Sequence, residues 1–425
     1  MTVNSKSSIE HTTLPNGLRI VTNRMADVES VSMGLYIGSG SRAETKSENG
    51  IAHFIEHMLF KGTKKRNAKD IVEAIESVGG SINAYTSREL TVYHTKTLKE
   101  DFGTSLDVLT DMIQHSMLAD EEFKQEQNVI IQEINQSFDS PEDAIYDDFQ
   151  VQAYGDHAMG RPILGTEDTI MSMTPDHLRS FIDRHYHTGN IVLCGAGNIN
   201  HAQFTEQAAH YFQKAPLVQD VTPQKSIYQG GEIKTKRDIE QLHLVLGFKG
   251  THNTAADYYD HVILAVVFGG GMSSRLFQEV REKRGLAYSI YSYNNSYKDT
   301  GLLGVSAALN ADKASDILPI IRDELFGLGQ SMTSDELERA KRQIKSSLLM
   351  SQESSMARCE KLGHQMLIHG RPIPLAEQVQ KIDAVTKESV SKVLDRMIAA
   401  KNPTLAALGP EKAIQAKGLS IAQLV

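Results

Sequence analysis

Apolar residues are concentrated in two short stretches near the start of the chain. Residues 18–22 (LRIVT) and 31–38 (VSMGLYIG) are rich in β-branched and other apolar side chains and have polar or glycine neighbours, which is typical of strands. A turn-rich stretch, residues 40–50, leads into the apolar segment 51–60, which favours a helix that stops before Gly62. The N-terminal half is therefore predicted to begin with two strands and a helix.

The C-terminal half repeats this plan. Residues 242–248 (LHLVLGF) predict a strand, residues 258–268 predict a helix, and the glycines at 269–271 predict a turn after that helix. The two halves also end alike, because residues 190–197 and 402–410 each combine a short apolar run with glycine. Repetition on this scale predicts two similar domains.

The stretch between the halves, residues 215–231, contains two prolines and a Gly-Gly pair and has little periodicity, which is typical of a linker. The predicted bounds are 1–217 for the N-terminal domain, 218–231 for the linker and 232–425 for the C-terminal domain. Strands and helices do not alternate regularly along either half. We therefore predict an α+β fold in which each domain is a mostly antiparallel sheet with helices packed on one face.

Composition narrows the classes of partner. The 425 residues include 44 basic and 53 acidic side chains, which gives a net charge of −9. A mildly acidic chain is a poor candidate for binding nucleic acid or an anionic membrane and is better suited to a cationic partner. No apolar run approaches the ~18 residues that a membrane-spanning helix requires. We therefore expect no nucleic acid partner and no membrane span.

The N-terminus and the cysteines bear on the cellular compartment. Residues 1–13 are polar and lack the charged and then apolar plan of a secretory signal. Cys194 and Cys359 are far apart in sequence and belong to no C-x-x-C pair, so they are expected to be buried small apolar residues in a reducing compartment. The bacterial cytoplasm is the expected location, with the mitochondrial matrix as the alternative.

The predicted helix over residues 51–60 carries a candidate metal site. His53 and His57 are four residues apart, so both imidazoles project from one face of the helix, one turn apart, and can reach one Zn²⁺. Glu56 lies on the same side, where a carboxylate can accept a proton from water. The order H-x-x-E-H is the inverse of the common H-E-x-x-H zinc motif. The alternative is a pair of surface histidines, which the apolar surroundings disfavour.

A catalytic zinc usually has three protein ligands, so a third is expected on another element. Residues 120–138 predict a helix that ends before Asp139-Ser140-Pro141, and Glu126 and Glu133 are two turns apart on one face of it. Glu133 is the expected third ligand, and Glu126 is expected to orient a histidine. The alternative is that both are solvated surface acids.

At these residues the chain resembles the pitrilysin/insulinase family of metallopeptidases, and within it most closely the β-subunit of mitochondrial processing peptidase and its bacterial relatives. The resemblance covers essentially the whole chain and includes residues 38–42, 57–63, 83–89 and 269–288. It implies one Zn²⁺ per chain and two homologous domains that enclose a cavity. The residue roles that it implies are metal ligation by His53, His57 and Glu133, general base catalysis by Glu56, and a further catalytic acid at Glu126.

The resemblance also implies residues that bind substrate. Arg281 and Tyr288 match the family's Arg and Tyr pair, which reaches across to the N-terminal site and holds the substrate near the scissile carbonyl, where a cation or a phenol can stabilise an oxyanion. Taken alone, an Arg in a charge-rich helix is usually solvated. Residues 81–86 resemble the edge strand on which the peptide lies as an added strand. The substrate-binding residues expected there are Asn83, Ala84, Tyr85 and Thr86.

Three further residues bear on substrate preference. Asp143 and Asp147 match acids that bind an arginine shortly before the cleaved bond, and paired carboxylates favour Arg over Lys. Phe60 matches the apolar wall that receives the residue after the cut. The alternative for the two aspartates is a solvated acidic turn.

Three functions remain open at this point. The leading hypothesis is a zinc-dependent endopeptidase of peptides or unfolded segments that prefers Arg before the scissile bond and acts on cationic substrates. The first alternative is a non-catalytic partner or scaffold subunit of the same fold, and the second is a zinc-binding regulator or lyase on a similar motif. The chain corresponds to half of the large single-chain family members, so a homodimer or a heterodimer with a related subunit is expected.

Overall fold

The computed structural model describes residues 8–213 and 224–424. Residues 218–223 of the predicted linker lie outside the described residues, and residues 224–230 form neither helix nor strand. The described chain contains eleven strands, which are β1 (Ser8–Thr13), β2 (Arg19–Arg24), β3 (Ser30–Ile37), β4 (Ser81–Thr86), β5 (Thr91–Leu98), β6 (Ile191–Gly197), β7 (Gly231–Lys236), β8 (Gln241–Lys249), β9 (Ala287–Ser296), β10 (Gly301–Asn310) and β11 (Thr404–Gly409).

Helices occupy most of the remaining described chain. None of the described helices is long and apolar enough to cross a bilayer. The fifteen α-helices in this part of the chain are α1 (Ile51–Leu59), α2 (Ala68–Glu76), α3 (Phe102–His115), α4 (Asp120–Asp139), α5 (Pro141–Tyr154), α6 (Glu167–Ser172), α7 (Pro175–His185), α8 (His201–Tyr211), α9 (Tyr258–Gly269), α10 (Ala314–Ser331), α11 (Ser334–Met350), α12 (Ser355–His369), α13 (Leu375–Asp383), α14 (Lys387–Ala399) and α15 (Glu411–Ile414).

The strands and helices that the pattern predicts are confirmed to within two residues at either end. Strands β2, β3, β6, β8 and β11 and helices α1, α4 and α9 all form where expected. The chain divides into two compact units, each with one sheet. The prediction of two α+β domains with mostly antiparallel sheets is therefore confirmed.

The first unit is built on a six-stranded sheet in the order β1-β2-β6-β3-β5-β4, in which only the β2–β6 pair is parallel. One face packs on α1 and α3 through residues such as Leu35, Phe54 and Leu109. The other face is also apolar, and helix α12 covers it with Cys359 and Met366. Among the described strands, β4 pairs with β5 alone and is therefore an edge strand.

The second unit is built on a five-stranded sheet in the order β7-β11-β8-β10-β9, in which only the β7–β11 pair is parallel. One face packs on α9, α10 and α14, with Phe268 and Leu325 in that core. The opposite face packs on α5, where fully buried Phe149 belongs to a core with Val245 and Ala406. Both sheets are therefore covered on both faces.

The expectation of helices on only one face is wrong. Strands β3 and β6 are buried along nearly their whole length, as strands buried on both faces are. The covering helices come from distant parts of the chain: α12 belongs to the first unit and α5 to the second. The first unit comprises residues up to Ile134 with Pro162–Gln224 and Leu349–Ile373, and the second comprises Asn135–Arg161, Lys225–Leu348 and the residues from Pro374. The two compact units are made of several segments each, whereas the bounds 1–217 and 232–425 describe the repeat in the sequence. Those bounds therefore stay a prediction.

Candidate metal centre

Helix α1 begins at a turn that only glycine adopts easily. Gly50 has φ of 96°, and a Cβ there would lie 2.7 Å from the carbonyl oxygen of Leu164. The buried carboxylate of Glu44 accepts hydrogen bonds of 3.0 Å from the backbone N–H groups of both Gly50 and Ala52. These bonds satisfy donors at the start of the helix and place a negative charge at its positive end. The orientation of α1 is therefore fixed by its first turn.

The apolar side of α1 holds the helix against the sheet, with Phe54, Ile55 and Met58 fully buried. His53 and His57 lie on the side that remains partly accessible, with 12% and 18% of their side chains exposed. Their rings lie 4.6 Å apart between centroids, one turn apart on the helix. The predicted positions of both histidines on one face are confirmed.

Glu133 of α4 meets both histidines. Its Oε2 atom lies 3.6 Å from Nε2 of His53 and 3.5 Å from Nε2 of His57. One ligand atom from each of the three residues lies within 4.8 Å of the others. Three ligands at ~2.0–2.1 Å from one tetrahedral Zn²⁺ are separated by about 3.3–3.5 Å. The donor set and its spacing therefore fit a zinc ion.

The protonation chemistry of His53 supports this fit. Burial, together with the neighbouring His57, lowers the pKa of His53 to about 3, so its imidazole is neutral at pH 7. Its buried Nδ1 atom has no hydrogen-bond partner among the described residues. A neutral imidazole that points its other nitrogen at a carboxylate is the form that binds a divalent metal.

Glu126 orients His57 from the side away from Glu133. Its Oε2 atom lies 3.0 Å from Nδ1 of His57, and its Oε1 atom lies 2.6 Å from Nζ of Lys61. Burial lowers the pKa of His57, but the hydrogen bond to Glu126 and the nearby carboxylates outweigh burial and raise it. Burial raises the pKa of Glu126, but its bonds to His57 and Lys61 outweigh burial and lower it. Glu126 is therefore an ionised acceptor that fixes the His57 ring.

Glu56 lies on the same helix and is not one of the three clustered ligands. The hydroxyl of Thr86, on edge strand β4, donates a hydrogen bond of 2.5 Å to its Oε2 atom. Burial raises the pKa of Glu56, while this hydrogen bond lowers it, and the net shift is upward. A carboxylate with a raised pKa next to a metal site is suited to accept and return protons.

The other residues predicted for the first unit lie along edge strand β4 and at the end of α1. Phe60 follows α1 and packs on the same core as the helix, with its ring 6.4 Å from that of Tyr93. Asn83 is exposed, and its Oδ1 atom accepts a hydrogen bond of 2.8 Å from the N–H of Ala84. Tyr85 faces the opposite side of the sheet, toward α12.

The sequence reasoning missed two residues of this site. Lys61 is four residues after His57, a spacing that places both on one face of a helix. Because Glu126 was expected to contact a histidine on that face, the contact between Glu126 and Lys61 could have been predicted. Glu44 had no such signal, because its role depends on a turn that brings it to the start of α1. The hydroxyl of Thr86 contacts Glu56, and the role of Thr86 in substrate binding stays a prediction.

The remaining predicted residues belong to the second unit. Arg281 lies in a π-helical turn, Phe277–Glu282, with its guanidinium 5.2 Å from the ring centroid of Tyr288, which is 78% exposed. Asp143 lies in the first turn of α5, where its N–H donates to the hydroxyl of the capping Ser140. Their roles in substrate binding stay predictions, as does that of Asp147 in the same helix.

Comparison with protein families gives two matches along this chain. Residues 19–167 match the model of the insulinase family, peptidase family M16. Residues 172–344 match the model of the peptidase M16 inactive domain. The first match contains the whole histidine and glutamate cluster.

Curated bacterial proteins of similar length are related to this chain. An uncharacterized zinc protease of Streptomyces coelicolor is 38% identical over 422 residues, which cover 97% of this chain and 92% of that protein. An uncharacterized zinc protease of Bacillus subtilis is 39% identical over 404 residues, which cover 95% of this chain and 98% of that protein.

Two crystal structures share the fold. A protease from Helicobacter pylori superposes with a TM-score of 0.89 at 24% identity, covering 95% of this chain and all of that chain. A peptidase M16 inactive domain from Pseudomonas fluorescens superposes with a TM-score of 0.88 at 18% identity, covering 95% of this chain and 98% of that chain. At these identities the likeness supports the fold.

Proposed function

Because this chain belongs to the insulinase family of peptidases, family M16, we propose that it is a zinc-dependent endopeptidase that cleaves peptides or unfolded segments. The observation that carries the proposal is the convergence of His53, His57 and Glu133, with Glu56 beside them on the metal helix. The names of the bacterial relatives support zinc as the metal. The single cluster among the described residues supports one ion per chain.

His53, His57 and Glu133 would hold the metal. When bound, Zn²⁺ supplies a Lewis acid that makes water more acidic and polarises the scissile carbonyl. His53 is neutral and so offers a lone pair without first losing a proton. Glu126 accepts a hydrogen bond from Nδ1–H of His57 and thereby leaves Nε2 as the coordinating atom. The hydrogen bonds from His57 and Lys61 lower the pKa of Glu126 and keep it ionised for that task.

Glu56 acts on protons rather than on the metal. Its carboxylate accepts a proton from the water that attacks the peptide carbonyl and returns it to the leaving amine. Thr86 donates to Oε2 and so fixes the direction of the other oxygen. The raised pKa of Glu56 brings it closer to neutral pH, so the carboxylate holds the proton more readily until it passes to the leaving amine.

Edge strand β4 is the proposed binding place for the substrate backbone. It pairs with β5 on one side only, so its outer edge can hydrogen-bond to an extended peptide. Such pairing tolerates many sequences. Preference for Arg before the cut would come from Asp143 and Asp147, and Phe60 would contact the residue after the cut.

Arg281 and Tyr288 are proposed to contact the substrate near the scissile carbonyl. The exposed phenol of Tyr288 and its neighbouring guanidinium offer two hydrogen-bond donors suited to an oxyanion. Tyr288→Phe and Arg281→Leu should each reduce kcat and leave the zinc content of the protein unchanged. An unchanged kcat in both variants would contradict this role.

The central experiment combines metal removal with one substitution. A chelator should abolish cleavage of a quenched fluorescent peptide, and added Zn²⁺ should restore it. Glu56→Gln should retain stoichiometric zinc by metal analysis and lose at least about a hundredfold in kcat, because general base catalysis contributes on that order. Glu76→Gln, an exposed change of the same kind on α2, is the control. Full activity of Glu56→Gln would overturn the proposal.

A non-catalytic partner or scaffold subunit is the second candidate, because residues 172–344 match an inactive-domain model. The first unit retains all three clustered metal ligands and the adjacent Glu56, which favours catalysis. The same assay separates the two functions. A peptidase would show cleavage that a chelator abolishes, whereas a scaffold subunit would not cleave the peptide.

Assembly and location complete the proposal. We propose a homodimer or a heterodimer with a related subunit, which sedimentation of the purified chain at several concentrations would test. The bacterial origin of the relatives supports action in a bacterial cytoplasm.

A further inference from the structure

The edge strand β4 presents its side chains alternately to two different helices. Thr86 bonds Glu56 of α1, and Ala84 packs on the core that contains α1. Tyr85 points the other way and packs on the core that contains Met366 of α12. A peptide that adds to β4 must follow the same alternation, because side chains of a strand point to opposite faces in turn.

A polar cluster lines the α12 side of this edge. The hydroxyl of Tyr85 lies 3.3 Å from Oε1 of Glu360 and 3.1 Å from Nε2 of His364. The ring of His94, on β5, lies 6.4 Å from that of Tyr85. Burial lowers the pKa of both His94 and His364, so both are neutral at pH 7. The negative charge at this end of the strand therefore comes from Glu360.

The charge of Glu360 is not neutralised within the described chain. Its side chain is exposed, and no described Lys or Arg lies within ion-pair distance of its carboxylate. Lys96 projects from the same face of β5 as His94, but it pairs with Ser81, at the other end of β4. Tyr85 is four positions along the strand from Ser81, or roughly 13 Å. A cationic side chain next to Tyr85 could thus pair with the Glu360 carboxylate without competition from the Lys96 ammonium group.

We propose that Tyr85, Glu360 and His364 form a binding subsite for a lysine or arginine side chain of the bound peptide. The Tyr85 ring offers a face for a cation–π contact, and the Glu360 carboxylate offers a charge-assisted hydrogen bond. All three residues belong to the first unit and none is among the predicted arginine-binding acids, Asp143 and Asp147. The subsite rests on the proposed function of β4 as the peptide-binding strand.

Strand alternation fixes which peptide positions the subsite serves. Phe60 packs on the same core as Ala84, so a peptide residue that faces Phe60 points away from α12. Its two neighbours in the peptide point toward α12 and Glu360. If Phe60 receives the residue after the cut, the subsite serves the residue before the cut and the second residue after it.

The test uses a neutral reference peptide and variants with Lys or Gln at each of three positions on either side of the cut. For the wild-type enzyme, kcat/KM should favour Lys over Gln by about tenfold at the two alternating positions, the ratio expected of one good ion pair. Glu360→Gln should reduce that ratio to about one at those positions and leave cleavage of the neutral peptide unchanged. Tyr85→Phe should reduce it partly, because the ring remains.

Glu76→Gln is the matched control and should keep the wild-type ratios. An unchanged Lys-to-Gln ratio in Glu360→Gln would overturn the subsite, and so would an equal reduction at all six positions, since that is a general charge effect. Failure of the peptidase itself is recognised separately, because the neutral peptide would then not be cleaved by the wild type. In that case the anisotropy of labelled Lys and Gln peptides bound to Glu56→Gln, with and without Glu360→Gln, decides on the subsite.

Discussion

The ammonium group of Lys61 lies 2.6 Å from Glu126, whose other carboxylate oxygen lies 3.0 Å from Nδ1 of His57. Lys61 thus acts on the metal ligand His57 through Glu126, which is not itself one of the three clustered ligands. Lys61→Met should weaken Zn²⁺ binding by about tenfold, the lower range for residues that support a metal ligand. Competition with a chromophoric chelator measures this affinity without any activity assay.

Lys64→Met is the control for that prediction, because Lys64 is an exposed lysine three residues away on the same segment. Both variants remove one positive charge near α1, and the general electrostatic effect of that change is to strengthen Zn²⁺ binding equally in both. Weaker binding in Lys61→Met alone would therefore identify the contact with Glu126. Equal affinities of Lys61→Met and the wild type would contradict a role for Lys61 in fixing Glu126.

Thr86 is expected to control the base rather than the metal. Thr86→Val removes the hydrogen bond to Glu56 and so removes an influence that lowers the pKa of that carboxyl. Because the base must be ionised, the acid limb of kcat/KM against pH should move to higher pH, and kcat should fall by about tenfold. Zinc content should not change. Thr86→Ser keeps the hydroxyl and should restore the wild-type profile, and an unshifted acid limb in Thr86→Val would contradict the assignment.

Local spacing explains how much of this site the sequence could predict. His53 and His57 are one helical turn apart, and Glu126 and Glu133 are two turns apart on one helix, so each pair could be placed on one face from periodicity alone. That α4 meets α1 is a tertiary fact, and periodicity left it open whether Glu126 and Glu133 reach the histidines or are solvated, until the family resemblance favoured the first. The strands were found to within two residues because their apolar runs are bounded by polar or glycine residues.

The contacts that escaped prediction join residues far apart in sequence. Thr86 and Glu56 are 30 residues apart, and Tyr85 and His364 are 279 apart. The second apolar face of β3 and β6 signals that something covers it, but the pattern does not say that the cover is α12. Helix α12 has an ordinary amphipathic pattern that would suit packing in either unit. Which sheet it joins depends on complementarity of packing and not on its own periodicity.

Glu44 should matter for the stability of the first unit. Its carboxylate accepts from Gly50, Ala52 and the side chain of Asn49, at 3.0, 3.0 and 3.1 Å. Glu44→Gln replaces one accepting oxygen with a donor and leaves a buried N–H without a partner, which costs about 1–3 kcal/mol. Urea denaturation measures the loss. Glu76→Gln, exposed on α2, should unfold like the wild type, and an equal midpoint for Glu44→Gln would contradict this role.

The second unit contains an ion pair whose contribution to stability should depend on pH. Arg275 donates to both carboxylate oxygens of Glu336, at 2.8 and 2.9 Å, and the N–H of Thr333 donates to one of them at 2.8 Å. The hydrogen bond from Arg275 is the main reason that the pKa of Glu336 falls to about 2. A folded-state pKa below the unfolded one stabilises the protein at pH values above the unfolded pKa.

That stabilisation should be lost as the pH falls from about 5 toward 2. The full shift corresponds to about 3 kcal/mol, and solvent screening of this partly exposed pair reduces the expected value to about 1–2 kcal/mol. Glu336→Gln cannot ionise, so the difference in the free energy of unfolding between the wild type and this variant should shrink over the same range. Chemical denaturation at pH 6, 4 and 3 measures it, with Asp335→Asn, a change of an exposed acid on the same helix, as the control. A difference that stays constant with pH would show that Glu336 stabilises the fold through packing and not through its charge.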